Sequence, residues 1–190
     1  MRIDPNRYAT ALLFALEAHG FQVRKGTDVP YITHPVAVSA TLAQYGYPEE
    51  LVLAGLLYDT MEDAGVSFDE LAARFGPRVA ALVAGVSEEK ERSGARVPWR
   101  ERKEAQLRHF READRETVAL KAADTLHNVA SILRDWRICG ERVWERFSAP
   151  REEQVWYYAA VAERVRERLG DGGLAGELGE AVDRLRMAGG

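Results

Sequence analysis

Apolar residues recur three and four positions apart along most of the chain, and no run of alternating β-branched residues competes with that helical period. The pattern predicts an all-α protein. Asp4 and Pro5 offer an N-cap and a first-turn proline for a helix reaching about Ala18. Gly20 to Thr33 reads as a loop carrying Gly26, Asp28 and Pro30. A helix from about Pro35 to Tyr45 follows, and Pro48 opens another that runs to about Ala64. Ser67 and Glu70 have the spacing of a capping box, in which the serine accepts from the N3 amide, and Gly76 supplies the stop. Further helices are expected over Pro77 to Val86, Pro98 to Arg111, Glu116 to Trp136 and Pro150 to Leu169, with Ser87 to Val97 left as a loop. Neither an internal repeat nor a long linker is visible. The reading is one domain over 1–170, with 171–190 a glycine-punctuated helix or tail that belongs to it or is mobile.

A chain of 190 residues hides about 70% of its unfolded surface, so it needs no disulfide or structural metal to fold, and Cys139 is its one cysteine. The opening MRIDPNRYAT lacks the apolar core of a signal peptide, and no apolar run approaches the ~20 residues of a membrane helix. A cytoplasmic protein without a membrane partner is expected. The net charge of −4 argues against a general nucleic-acid binder and leaves a small molecule as the expected partner. Local contrast survives the average: KERSGARVPWRERK sets Lys90, Arg92, Arg96, Arg100, Arg102 and Lys103 against Glu91 and Glu101, and Arg24 with Lys25 makes a second basic point. Such charges are ordinary solvated loop residues unless something nearby binds phosphate.

The segment LVLAGLLYDTMEDAG is apolar until Asp59, Glu62 and Asp63, which one helix would place on a single face. Either a cation neutralises them or the last turn is exposed. A second apolar segment, TVALKAADTLHNVASIL, carries Asp124 in its middle and Asn128 four residues on. An arginine could hold Asp124, but two helices with acidic groups in core positions match a divalent ion held between helices better. His34 stands at a helix start, where it is either a cap or a ligand. One imidazole with carboxylates suits Mn²⁺, Fe²⁺ or Mg²⁺ better than a thiolate-seeking metal.

The ordered set RKGTDVPYITHP, LLYDTMED, RFGPRVAALVAGV and KAADTLHN resembles the HD-domain hydrolases of the RelA/SpoT family, and by length the small stand-alone alarmone hydrolases. The match covers about Tyr8 to Tyr158. It implies an HD-domain helical bundle that removes pyrophosphate from the 3′ position of ppGpp, using Mn²⁺ or another divalent metal. By the same resemblance His34, Asp59 and Asp124 are metal ligands, and Glu62 and Asp63 orient and activate water. Arg24, Lys25, Arg102, Lys103, Asn128 and, by a looser alignment, Tyr158 face the substrate.

One position departs from the family pattern: Tyr58 stands where the HD histidine belongs. A phenol with an ordinary pKa near 10 must lose its proton to ligate, so it is a poorer ligand than imidazole. Three readings stay open: weaker metal binding with activity kept, nucleotide binding without turnover, or a deliberate or recent inactivation; another nucleotide such as NADPH is the alternative substrate.

Overall fold

The computed structural model describes residues 2–92 and 94–188, and helices account for most of it. Two compact units share the chain, Met1–Ser87 and Glu88–Gly190.

The first unit holds α1 (Pro5–His19), α2 (Thr33–Gln44), α3 (Glu49–Leu57), α4 (Thr60–Ala64), α5 (Phe68–Phe75) and α6 (Pro77–Val86). Its caps are those expected. The Asp4 carboxylate accepts from the Asn6 amide at 2.8 Å, and Ser67 Oγ accepts from the Glu70 amide at 3.1 Å. Val38, Leu42, Leu51, Leu53, Leu56, Leu71 and Leu82 are fully buried and make the core. Where α2 and α3 pack there is room for hydrogen only: a Cβ on Gly55 would lie 2.9 Å from the Ser39 Cα. Beside that contact, Ser39 Oγ donates to the Val52 carbonyl at 2.9 Å. This approach is what sets the first turn of α2, with His34, against the end of α3, with Tyr58.

The helix expected to run unbroken from Pro48 to Ala64 instead breaks at Tyr58 and Asp59. Thr60 Oγ1 donates to the Leu57 carbonyl at 2.7 Å, a local side-chain bond competing with the helical amide. Asp59 sits at φ −89°, ψ −7°, in the sparsely occupied bridge region. Asp59 is therefore a residue between two helices, not the interior position on a shared helical face that the sequence suggested. The loop after α1 is also more ordered than expected, with a bridge between Val23 and Pro30 and the Arg24 amide donating to the Val29 carbonyl at 2.8 Å.

The second unit opens with a short antiparallel hairpin, β1 (Glu91–Arg92) and β2 (Ala95–Arg96), inside the stretch read as plain loop. Then come α7 (Trp99–Glu112), α8 (Arg115–Cys139), a 3₁₀ segment (Gly140–Arg146), α9 (Arg151–Leu169) and α10 (Gly173–Met187). Asp114 caps α8 by accepting from the Thr117 amide at 2.7 Å. Gly140, at φ 61°, ends it in a conformation few other residues adopt. Phe110, Leu120, Ile132, Val161, Leu178 and Leu185 form this unit's core. The C-terminal stretch is helical here, burying Leu174, Leu178, Val182 and Leu185, and α10 packs on α8 and α9. Among the described residues no helix is long and apolar enough to cross a membrane.

Candidate active site

The residues singled out from the sequence fall into two sets, one in each unit. In the first unit His34 is almost fully buried, and its Nε2 shares a hydrogen bond with the Tyr58 hydroxyl. The two rings meet edge to face, their centroids 5.8 Å apart. Tyr31, a residue the sequence reading quoted but gave no role, ties the carboxylates together. Its hydroxyl donates to Asp59 and lies 3.4 Å from an Asp63 oxygen. The Tyr31 ring stands edge-on to His34 at 6.0 Å and tilted against the buried His19 ring at 4.7 Å. Asp59 is buried, Glu62 half-buried and Asp63 exposed, so the carboxylates grade from core to solvent across α4. Of the two alternatives left open for this cluster, exposure relieves the outer acid, while the inner one accepts from a neutral phenol rather than a cation or basic group at that bond. Arg24 lies with its guanidinium 5.8 Å from the Tyr31 ring, while the neighbouring Lys25 is exposed.

In the second unit Asp124 is buried in mid-helix, as the apolar pattern required. Two donors come from its own helix: Lys121 Nζ at 2.8 Å and Asn128 Nδ2 at 2.6 Å. Burial alone would lower the Lys121 ammonium. The Asp124 carboxylate, with Tyr157 and Glu88, outweighs it and holds the lysine well above its ordinary value. Lys121 escaped the sequence reading, although a lysine three residues before an acid in an apolar run is the spacing of a helical ion pair.

Arg102 and Lys103 also arrive already paired. Arg102 Nη1 donates to Glu88 at 2.9 Å and Lys103 Nζ donates to the other Glu88 oxygen. The Glu88 side chain is only 6% exposed. Its desolvation would raise the carboxyl, but Lys103 and Lys121, the Lys103 hydrogen bond and Arg102 together hold it below the usual carboxylate range. Glu88 lies two residues upstream of the basic stretch that begins at Lys90. Arg92 and Arg100 are paired at the surface, Arg92 with Glu89 and Glu101 and Arg100 with Glu104 and Glu153. Tyr158 is buried, yet the lysines gather on its neighbour: Lys103 Nζ is 4.6 Å and Lys121 Nζ 5.7 Å from the Tyr157 ring centroid. The Tyr157 hydroxyl donates to Gln106, and burial pushes this phenol far above its ordinary value.

As donors, one imidazole and several carboxylates fit a divalent ion. In this structure each is held by a protein partner: His34 Nε2 by Tyr58, Asp59 by Tyr31, and Asp124 by Lys121 and Asn128. Among the described residues no three His, Cys, Asp or Glu groups form a ready cage. A divalent ion would have to displace those bonds, against both the phenol on His34 and the Lys121 ammonium on Asp124.

Comparison with known proteins places this architecture. The HD-domain family model matches residues 11–153. The guanosine-3′,5′-bis(diphosphate) 3′-pyrophosphohydrolase MESH1 of Danio rerio is 35% identical over 150 residues, covering 77% of each chain. The bifunctional (p)ppGpp synthase/hydrolase SpoT of Escherichia coli is 36% identical over 132 residues, 66% of this chain but only 18% of SpoT. A solved structure, described as a metazoan ortholog of SpoT that hydrolyses ppGpp, superposes with a TM-score of 0.75 at 25% identity and covers 100% of this chain and 99% of its own. The chain belongs to the HD-domain family.

Proposed function

We propose that this chain is a metal-dependent guanosine-3′,5′-bis(diphosphate) 3′-pyrophosphohydrolase, converting ppGpp and water to GDP and pyrophosphate in the cytoplasm. One observation carries the proposal: a relative of similar length, alike over 77% of both chains, bears that activity in its name. The family's dependence on a divalent ion supports one at His34, Asp59 and Asp124, with Mn²⁺ the metal we favour. Such an ion supplies a Lewis acid for a phosphoryl oxygen.

The chain's own groups do the rest. Glu62 and Asp63, at the wetter end of the acidic cluster, take the proton from the attacking water. Exposure suits that task, because a carboxylate in contact with solvent can pass its proton on. Arg24, Lys25, Arg102 and Lys103 balance the charge of the two diphosphates, and fixed cations do so without reorganising during the reaction. Asn128 and Tyr158 complete the substrate contacts. Tyr31 acts as a positioning residue, its hydroxyl fixing Asp59 relative to Asp63.

A second reading is favoured by the Tyr58 bond to His34, which holds the imidazole nitrogen on a phenol. On that reading the chain binds the nucleotide with little or no turnover. Mn²⁺-dependent release of pyrophosphate from ppGpp, measured beside a Tyr58→His variant, separates the two. Release by both supports the hydrolase as it stands. Release by the variant alone supports the binding protein. Release by neither overturns the substrate, and a nucleotide panel that includes NADPH follows.

A further inference from the structure

The charge balance around Glu88 carries an inference that rests on the reading of Arg102 and Lys103 as phosphate ligands. In a protein waiting for a highly charged anion, these cations would be expected to face water. They are instead closed on a carboxylate that is itself only 6% exposed, with Arg102 and Lys103 exposed by 12% and 15%. Lys103 is further confined by the Trp99 and Tyr157 rings, whose centroids lie 5.8 Å and 4.6 Å from its ammonium. The pairing is incomplete in one respect. Glu88 engages Arg102 through Nη1, and Arg102 Nε is buried with no hydrogen-bond partner. A guanidinium presents its donors as a planar fork suited to two acceptor oxygens, so this one is half-used. The cluster has an orphaned donor to offer an anion.

We infer that Glu88 is an internal stand-in for a substrate phosphate. It holds Arg102 and Lys103 in place while the site is empty, and a phosphate or pyrophosphate group must displace it from them. Glu88 thereby sets how strongly the site takes phosphate. Weak anions such as chloride or monophosphate do not out-compete a buried carboxylate, whereas a pyrophosphoryl group, with several charged oxygens, reaches Nε as well. Removing the carboxylate charge removes the competitor, and anion binding tightens.

The test is isothermal titration of inorganic pyrophosphate into the full chain in EDTA, so that no metal contributes. Glu88→Gln should bind about tenfold more tightly than wild type, the change that about 1.4 kcal/mol represents. Adding Arg102→Ala to Glu88→Gln should abolish the gain. An unchanged or weaker affinity in Glu88→Gln, with far-UV dichroism showing a folded chain, overturns the inference. A gain that survives Arg102→Ala also overturns it. Should Glu88→Gln fail to fold, Glu88→Asp carries the test. Its shorter carboxylate cannot span both cations, so about threefold tightening is expected, and no tightening overturns the inference. The outcome is separable from the proposed reaction. A chain inert toward ppGpp that still gains pyrophosphate affinity keeps the role of Glu88 and loses the hydrolase. An active chain with unchanged affinity does the opposite.

Discussion

Replacing Tyr58 with phenylalanine tests what the phenol does in the absence of metal. The substitution keeps the ring and removes one oxygen, and with it the hydrogen bond to a histidine that is 1% exposed. A buried polar group that loses its partner is destabilised by about 1–3 kcal/mol, and the phenyl ring, being more apolar, returns part of that. A net loss of about 1.5 kcal/mol is therefore expected, and for a chain of this length it lowers the melting temperature by roughly 3–6 °C. Metal should act in the opposite sense. With the imidazole nitrogen released, Mn²⁺ at about a hundred times its dissociation constant would stabilise the folded chain by about 2.7 kcal/mol, more than the loss. The assay is thermal unfolding followed by circular dichroism, in EDTA and in Mn²⁺, for wild type and Tyr58→Phe. The expected result is a lower melting temperature for the variant in EDTA and a larger Mn²⁺ shift than wild type shows. Equal melting temperatures in EDTA, or equal Mn²⁺ shifts, would refute the claim that the phenol competes with a metal for His34.

Further expectations concern the scaffold. Gly55→Ala would drive a methyl group to 2.9 Å from the Ser39 backbone and should reduce stability by about 1–3 kcal/mol in urea unfolding, with His34 and Tyr58 drawn apart. An unchanged urea midpoint would show that α2 and α3 can separate freely. Asp124→Asn strands the buried Lys121 charge and should destabilise by about 3–5 kcal/mol, while Lys121→Met combined with Asp124→Leu recovers most of it in the same urea assay. The ion pairs also fix a pH window. Glu88 is held low, so its contribution is present above the ordinary value of 4.5 and is lost as pH falls through its folded value. Lys121 is held high, so its contribution is present below 10.5 and is lost only as pH rises through its raised folded value. Urea midpoints measured across pH should show both limbs, and Glu88→Gln should flatten the acid limb and, because Glu88 also supports the Lys121 charge, weaken the alkaline limb to a smaller extent.

Most of the helices were legible because their signals are local. Asp4 and Ser67 reveal caps within three residues of themselves, and Gly76 ends α5 where a glycine after an apolar run would. Asp124 was legible because a carboxylate among buried alanines and leucines has to be explained. The break before α4 was not. Nothing in LLYDTMED lacks helical propensity, and the interruption comes from a Thr60 hydroxyl choosing a carbonyl over solvent. The role of Tyr31 was equally hidden, since its partners Asp59 and Asp63 lie 28 and 32 residues away. Glu88 escaped for a third reason: a charge is read as surface until its burial is known, and only the fold shows that its side chain is nearly sealed. Tyr58 was conspicuous in sequence as a departure, but its bond to His34 depends on how closely α2 and α3 approach at Gly55.

That close approach has a consequence for how the chain acquires its structure. His34 and Tyr58 are 24 residues apart, and Ser39 and Val52, which lock the helices between them, only 13. Pairings this short in sequence close quickly, because little chain entropy is lost in bringing their ends together. The helical hairpin that carries the imidazole and the phenol is thus expected to form early during synthesis, before Asp124 has been added to the chain. Pulsed hydrogen exchange during refolding would show it as protection of α2 and α3 amides ahead of those in α8, and simultaneous protection would argue against it.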